Sequence, residues 1–494
     1  MTSNLSTQPL TRALAAAGLV CAILAAGPAA AAQKQAKAAT ASAEAVALAE
    51  LAKKLAALEA QNKALQDKVD RLEAVQTQQT AAVQQQGTQL RQQADQVQQQ
   101  TAQVQQQAQA VQQVQQEVSA AAAASTRPGE PATVVTSYGE IGYSRPSKSP
   151  QNAFVDVQRA VIGVQHRFDD KTKLVSEFEW EHAIVSSSDK GEAEVEQLWV
   201  ERELESGLRA RAGLFLMPVG LVNQNHEPTA YYGVFRPDVD TKIVPSTWRE
   251  VGVGLSGDLA NGLNWDVAIT TAPNLSKWDS TSTEGRLRGP LQAIHGEGQL
   301  AVSRDVGVVG ALNWRGVPGL LIGGSVVYDN ISQHQPGFLA NGSKLLLLDA
   351  HARYQIGRWD FAGEYVRGTI SNTEALNQSF SASSTTNPTL VPQLFYGGYV
   401  QTAYKIWQHG DYSLIPFARY ESYNTAAGFG SLPVSAGGVK RPDEHVRTLG
   451  ASLRIGEGVV LKADYRSYKQ NKLQDSDNHF NLGDSLNLGV GFSF

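Results

Sequence analysis

Charged residues recur at every second position through much of the C-terminal three quarters of this sequence. Arg209 and Arg211 are the clearest pair, since they lie two residues apart with no acid between them. Residues two apart share one face of an extended strand, and two guanidinium groups facing a confined aqueous space attract anions. The same alternation places on this face the bases Arg159, Arg167, Lys173, Arg353, Lys405, Arg419, Lys462 and Arg466, and the acids Glu177, Glu179, Asp266, Asp349, Glu364, Glu421 and Asp464. Bases and acids on facing strands also pair with each other in any polar lining, so that alternative stays open for each residue.

A long segment without a repeat, residues 217–247, directly follows the strand of Arg209 and Arg211. Its charged residues are two bases and three acids: Arg236, Lys242, Glu227, Asp238 and Asp240. A patternless loop of about 30 residues is unusual unless it has a function. We therefore expect the loop to set ion preference, with Arg236 drawing anions and Asp238 and Asp240 opposing it. Tyr231, Tyr232 and Phe235 either contact a sugar or pack the loop against its surroundings, and packing is the favoured role.

Enzymatic signatures are missing from the sequence. We find no Gly-x-Ser-x-Gly elbow, phosphate-binding loop or His-Glu-x-x-His helix, and the nine histidines are scattered singly. The one cysteine, Cys21, lies in an apolar N-terminal run, so cysteine-based metal sites and thiol catalysis are excluded. We predict no enzyme, no cofactor and no metal site. A rim-located Ser and His, as in a barrel lipase, would be the enzymatic alternative.

The elements that must position these charges are strands. In the last ten residues Leu486, Leu488, Val490, Phe492 and Phe494 alternate with small or polar residues. One face is apolar and the other polar, as a strand between lipid and an aqueous lumen requires. Sixteen such stretches lie between residues 134 and 494, the eighth at 300–315. Seven short turns alternate with eight long loops. The short turns lie at 169–170, 205–207, 258–262, 316–319, 357–358, 408–411 and 456–458. This arrangement predicts an all-β fold, a sixteen-stranded antiparallel transmembrane β-barrel.

A different sequence precedes the barrel. Residues 1–32 are typical of a secretory signal peptide: Arg12 precedes an apolar run, and small residues follow Pro28. Residues 33–124 are rich in Ala and Gln and carry a heptad repeat, with one core position occupied by Leu48, Leu55, Asn62, Val69, Gln76, Val83, Leu90, Val97, Val104, Val111 and Val118. This repeat predicts a long α-helical coiled coil in the periplasm, with a low-complexity spacer as the alternative. Residues 125–133 form a linker.

The barrel resembles the phosphate-selective porin O and P family. The similarity is carried by GLFLMPVG at 213–220, WREVGVGLSG at 248–257, LNWRGVPGLLIGGSVVYD at 312–329 and FAGEYVRG at 361–368. The resemblance implies a homotrimer of sixteen-stranded barrels, each pore narrowed by loop 217–247 folding inward. It does not extend to the heptad segment. Leu216 stands where the family commonly has a lysine, so we expect weak anion preference or little selectivity.

These observations predict an outer-membrane porin of a Gram-negative cell, a passive water-filled channel for small hydrophilic solutes or phosphate-like anions. Its partners would be outer-membrane lipid, further copies of itself and the barrel-assembly machinery, which reads the aromatic end Phe492 and Phe494. A net charge of -5 with no basic cluster gives no reason to expect nucleic acid. The alternative function is a structural anchor whose coiled coil tethers the membrane to cell-wall peptidoglycan, with little transport.

Overall fold

The computed structural model describes residues 132–494 apart from 206, 384–386 and 471–482, and scattered positions between 53 and 92. The chain divides into two compact units, Met1–Val118 and Ser119–Phe494. In the first unit every described position is helical, as the heptad repeat predicts, but all the core positions named above except Gln76 lie outside the described residues. The predicted signal peptide and the linker up to residue 131 also lie outside them.

The second unit is built from strands that follow the predicted alternation. Their bounds are β1 Ala132–Pro146, β2 Phe154–Arg167, β3 Thr172–Glu181, β4 Ala193–Glu205, β5 Leu208–Leu216, β6 Arg249–Asp258, β7 Leu263–Thr271, β8 Val306–Trp314, β9 Leu320–Asn330, β10 Lys344–Ile356, β11 Trp359–Ile370, β12 Leu394–Tyr404, β13 Trp407–His409, β14 Tyr412–Gly428, β15 Glu444–Ile455, β16 Val459–Gln470 and β17 Ser485–Ser493. The predicted eighth strand was too long at its start, because the backbone N–H of Asp305 bonds the side chain of Gln333 instead of a neighbouring strand.

The sheet is closed and antiparallel. Each strand pairs with its neighbours in the chain, and β1 pairs with both β2 and β17. At the closure Ile141 lies opposite Val490, and the backbone N–H of Ser137 donates to the carbonyl of Phe494 at 3.0 Å. β12 and the three-residue β13 both run beside β14 and form one barrel strand with a short break. The seventeen segments therefore make sixteen barrel strands, which confirms the predicted fold class.

The connections alternate as predicted, with short turns at one end of the barrel and long loops at the other. Two long loops matter for the site: L3, residues 217–248, and L4, residues 272–305. Short helices occur within the loops, at Val239–Lys242 in L3, Glu284–Leu287 in L4 and Glu374–Ser383. Among the described residues, no helix combines the length and apolarity needed to cross a membrane.

The two faces of the barrel differ in chemistry. Large apolar side chains stand exposed on the outside, and Val253, Val400 and Leu449 are each more than half exposed. On the inside, a hydrophobic cluster joins Met217 and Trp248 of L3 with wall residues. An exposed apolar face of this extent is stable in lipid, whereas in water it would be an aggregation-prone patch.

The outward face yields a direct test of its surroundings. Val400→Arg, in the middle of β12, should destabilise the barrel in liposomes by about 2–4 kcal/mol, because a cation at mid-bilayer loses its hydration. In a water-exposed sheet the same change would cost within about 0.5 kcal/mol. Urea unfolding followed by the heat-modifiable gel shift measures the difference, with Val400→Leu as the control. Equal stability of the two variants would contradict a lipid-facing surface.

Candidate functional site: the barrel interior and loop L3

L3 leaves the wall at a turn that the local sequence dictates. Pro218 cannot donate a strand hydrogen bond, and Gly220 adopts a left-handed φ of 72°. A Cβ at Gly220 would clash with Oε1 of Glu364, so only glycine permits this approach to the wall. The side-chain amide of Asn223 donates to the carbonyls of Met217 and Trp248 and accepts from the N–H of Trp248. Asn223 thus fastens the two ends of L3 together.

Four arginines of the inner wall hold the middle of L3, and one of them, Arg454 on β15, donates from Nη2 to the carbonyl of Thr229 at 2.8 Å. Nη2 of Arg159 donates to the carbonyl of His226 at 2.5 Å, and Nη1 of Arg419 donates to that of Tyr232 at 3.1 Å. Nη2 of Arg466 donates to the carbonyls of Phe235 at 2.6 Å and Arg236 at 2.9 Å. These carbonyls have no strand to pair with, so the guanidinium groups supply the donors that a buried backbone requires.

Acids of the wall bind the N–H groups and hydroxyls of L3 in the same way. Four carboxylates accept from its backbone N–H groups, through the pairs Gly220–Asp349, Leu221–Glu364, Val234–Asp464 and Val239–Glu421. Two more accept from its tyrosines, through Tyr231–Glu140 at 2.6 Å and Tyr232–Asp360 at 3.2 Å. The contacts reach strands β1, β10, β11, β14 and β16, so L3 lies along the inner wall far from its own root.

The aromatic residues of L3 are packed into this contact. Tyr231 and Tyr232 are buried, and the ring of Tyr232 stacks on Phe417 at 5.7 Å. Nζ of Lys462 lies 3.7 Å from the ring centre of Tyr231. These are the surroundings that the packing role requires, and they leave little of either tyrosine ring open to a sugar.

The arginines singled out from the sequence occupy two kinds of position. Arg159, Arg419 and Arg466 face inward but are only 4%, 3% and 2% exposed, since L3 covers them. Each also lies against a carboxylate, at 2.8 Å from Glu140, 2.8 Å from Glu421 and 3.7 Å from Asp238 respectively.

Arg209 and Arg211 lie on β5 away from that contact. Arg209 pairs with Asp258 at 2.8 Å, and Arg211 pairs with Asp266 at 2.8 Å. The guanidinium of Arg211 also lies 4.1 Å from the ring centre of Phe215. Arg167 ends β2 beside a short turn, far along the strand from Arg159. The structure therefore does not bring the predicted arginines together into one cationic surface.

The charges of L3 itself are unevenly satisfied. Nζ of Lys242 donates to the hydroxyl of Tyr423 at 2.9 Å. Arg236 is half-buried and has no side-chain hydrogen bond or ion pair to any other described residue. Asp240 is buried, and among the described residues only the neighbouring carboxyl group of Glu364, when protonated, can donate a hydrogen bond to its carboxylate. Burial, followed by the nearby carboxylates of Glu421 and Asp349, raises the pKa of Asp240 to about 7.

A polar cleft remains between L3, L4 and the ends of β3 and β4 that adjoin the long loops. Its volume is about 450 Å³. Five acids, three bases and a histidine line it: Glu181, Glu192, Glu194, Glu284, Glu297, Lys242, Arg249, Arg288 and His295. Sequence reasoning missed most of this set. The signal was present in the alternating glutamates of EFEWE at 177–181 and EVE at 194–196, but nothing in the sequence showed that these acids would face L4.

Removing one buried arginine should loosen L3. Arg419→Ala strips the carbonyl of Tyr232 of its donor and leaves Glu421 buried without its cation, which costs about 3–5 kcal/mol. Arg209→Ala removes an exposed pair and should cost less than about 1 kcal/mol. Urea unfolding in detergent compares the two variants. Equal losses would show that the buried contact to L3 is not a main source of stability.

The raised pKa of Asp240 predicts a pH dependence of stability. An acid whose pKa is higher folded than unfolded holds its proton in the native state, so stability falls as pH rises from about 4 to about 7. Asp240→Asn keeps the group neutral and should raise stability at pH 8 by on the order of 2 kcal/mol, with little change at pH 4.5. Melting temperatures at both pH values test this, with Asp170→Asn on an exposed turn as control. A pH-independent effect would contradict the titration of Asp240.

Comparison with known sequences identifies a relative but no family. No protein-family model matches the sequence. An uncharacterized protein of Aquifex aeolicus (strain VF5) is 29% identical over 347 residues, which are 68% of this chain and 76% of that protein. Membership of the phosphate-selective O and P family is therefore not confirmed.

Solved structures of similar shape are outer-membrane porins. OmpF of Salmonella typhi, in a complex with daunomycin, has a TM-score of 0.50 at 14% identity, over 73% of this chain and 97% of OmpF. An anion-selective porin from Comamonas acidovorans has a TM-score of 0.47 at 10% identity, over 74% of this chain and all of that one. The likeness to OmpF shows a porin-like barrel fold, and at these identities it says nothing about selectivity.

Proposed function

We propose that the protein is an outer-membrane porin, a passive diffusion channel for small hydrophilic solutes. The observation that carries this proposal is the charged cleft inside the barrel between L3, L4 and β3–β4. An interior lined by charges inside an apolar exterior is what a water-filled path through a bilayer requires. Through such a path solutes would move down their own gradients.

L3 would narrow this path and would keep it open along the side of the barrel formed by β3 and β4. Its hydrogen bonds to β10, β11, β14 and β16 occupy the opposite wall, where Arg419 and Arg466 are covered. Solutes would therefore pass the half-buried Glu181 and Glu194 on one side and Lys242 with Arg236 on the other. Charges of both signs facing one another across a narrow passage favour small polar solutes over apolar ones.

The arginines expected to attract anions are largely neutralised. Arg209 and Arg211 each pair with an aspartate, and the arginines under L3 each lie against an acid. The cleft has five acids against three bases. We therefore propose weak selectivity with a tilt toward cations. Anion or phosphate preference, the expectation from the family resemblance, is the competing outcome.

The ends of the barrel support a proposed orientation in the envelope. β1 begins and Phe494 ends at the short-turn end, which in outer-membrane barrels faces the periplasm. The heptad segment would then lie in the periplasm, and the homotrimer implied by the resemblance would bring three such segments together. Phe492 and Phe494 are exposed on the outer surface, as an address read by assembly machinery must be. These assignments remain predictions.

A structural anchor is the second candidate function. It is favoured by the coverage of the inner wall, since a barrel filled by its own loop would hold the heptad segment at the membrane without conducting. Planar-bilayer recording on the purified, folded protein separates the two candidates. Stepwise conductance is expected for a porin, and a silent folded barrel would favour the anchor.

The ion preference of the cleft is testable by neutralising its charges. Glu181→Gln should shift the reversal potential in a KCl gradient toward anions, and Arg288→Gln should shift it toward cations. We expect a change of about twofold to fivefold in permeability ratio, because a unit charge a few ångströms from an ion in water contributes about 1 kcal/mol. Glu457→Gln, on an exposed short turn, is the matched control. Equal shifts in all three variants, or none, would place the selectivity elsewhere.

A further inference from the structure

A cluster of polar side chains lies where L3 meets β3 and β4. Glu177 of β3, Glu196 of β4 and His226 of L3 each place one ligand atom within 4.8 Å of the others. Glu196 and His226 are buried, and Glu177 is half-buried. We name these three residues the Glu-Glu-His cluster. The hydroxyl of Tyr138 on β1 lies against two of them, Glu196 and His226. None of the cluster's members lines the cleft, although Glu196 is only two residues from the cleft residue Glu194 on β4.

The cluster has too few protons for its acceptors. Nδ1 of His226 lies 3.1 Å from the carbonyl oxygen of Asn223 and therefore carries a proton, which leaves Nε2 with a lone pair. The Tyr138 hydroxyl lies 2.6 Å from that Nε2 and 2.7 Å from Oε2 of Glu196, so one proton faces two acceptors. Oε1 of Glu196 is buried 3.2 Å from the same Nε2, with no hydrogen-bond donor among the described residues. Two lone pairs thus face each other across this gap, and the neighbouring guanidinium of Arg159 donates to the carbonyl of His226 and to Glu140 instead of into it.

The gap suits a metal ion. Ligand atoms around a tetrahedral zinc ion, at Zn–N and Zn–O distances near 2.0–2.2 Å, lie roughly 3.4 Å apart. The 3.2 Å between Nε2 of His226 and Oε1 of Glu196 is close to that value. Oε2 of Glu177 accepts from Nε2 of Gln197 at 2.6 Å, which leaves the other oxygen for a ligand role. The hydrogen bond from Nδ1 of His226 to a carbonyl is the support that metal-binding histidines ordinarily have.

We propose that Glu177, Glu196 and His226 bind a divalent transition-metal ion of the zinc type. An imidazole with two carboxylates favours such ions over Mg²⁺ and Ca²⁺, which prefer oxygen ligands alone. Because His226 belongs to L3 and the glutamates belong to the wall, the bound ion would cross-link the loop to the barrel. No metal-binding motif is visible in the sequence, because the ligands come from three separate elements.

Zinc binding by the full-length protein in detergent tests the proposal. After treatment with EDTA, the protein is titrated with ZnCl₂ by calorimetry, and bound zinc is counted after desalting. One zinc per chain is expected, with affinity at least tenfold lower in Glu177→Gln and His226→Gln. His182→Gln is the matched control, since His182 is exposed, pairs with Asp156 at 2.8 Å and is not a member of the cluster. His182→Gln should bind zinc with the affinity of the wild type, and excess MgCl₂ should not displace zinc from either protein.

A second measurement separates binding from folding. Zinc should raise the melting temperature of the wild type and of His182→Gln, and should not raise that of Glu177→Gln. Glu177 is half-buried, so its variant is expected to keep the heat-modifiable mobility of a folded barrel even where His226→Gln does not. Absence of stoichiometric zinc in the wild type would overturn the proposal and indicate that a protonated His226 supplies the charge. A loss of zinc affinity in His182→Gln equal to that in the cluster variants would overturn the proposal as well. Neither outcome depends on whether the barrel conducts.

Discussion

The hydrogen bonds from buried arginines to the backbone of L3 are the interaction on which the interior depends. In a closed barrel the backbone N–H and C=O groups of the strands hydrogen-bond to one another. The backbone of a loop that enters the lumen therefore finds hydrogen-bond partners only in side chains. Arg159, Arg419 and Arg466 supply these partners, and each lies against an acid that offsets its charge. The loop and the charged wall therefore form one structure, and neither could be buried without the other.

This arrangement decides the electrostatics of what remains open. Arginines committed to L3 no longer offer their charge to a passing ion. The cleft is then governed by glutamates of β3, β4, the loop between them and L4, and by one cation each of L3, L4 and β6. The same crowding leaves Asp240 among carboxylates, and it leaves a single proton, that of the Tyr138 hydroxyl, facing both Glu196 and His226. Acid-rich packing of a loop against a wall thus accounts both for the raised pKa of Asp240 and for the candidate metal site.

The apolar exterior and the charged interior also explain why the fold was predictable. Each strand must present alternate residues to lipid and to the lumen, and this constraint is local, so it is written in the sequence with a period of two. Short turns and long loops alternate for an equally local reason. The predicted strands agree with those observed apart from their ends. Before β8, for example, the side chain of Gln333, from the loop after β9, accepts hydrogen bonds from the backbone N–H groups of Arg304 and Asp305.

The sequence by itself determined the sixteen strands, which face of each is polar, and that residues 217–247 form an exceptional loop. It determined that Arg209 and Arg211 share a face, but their neutralisation by Asp258 and Asp266 depends on cross-strand register. Only the tertiary structure decided that Arg159, Arg419 and Arg466 bind L3 instead of lining water, and that Glu177, Glu196 and His226 meet. The physical reason is that alternation fixes the side of the sheet on which a residue lies, whereas its partner across the lumen depends on where a long loop comes to rest.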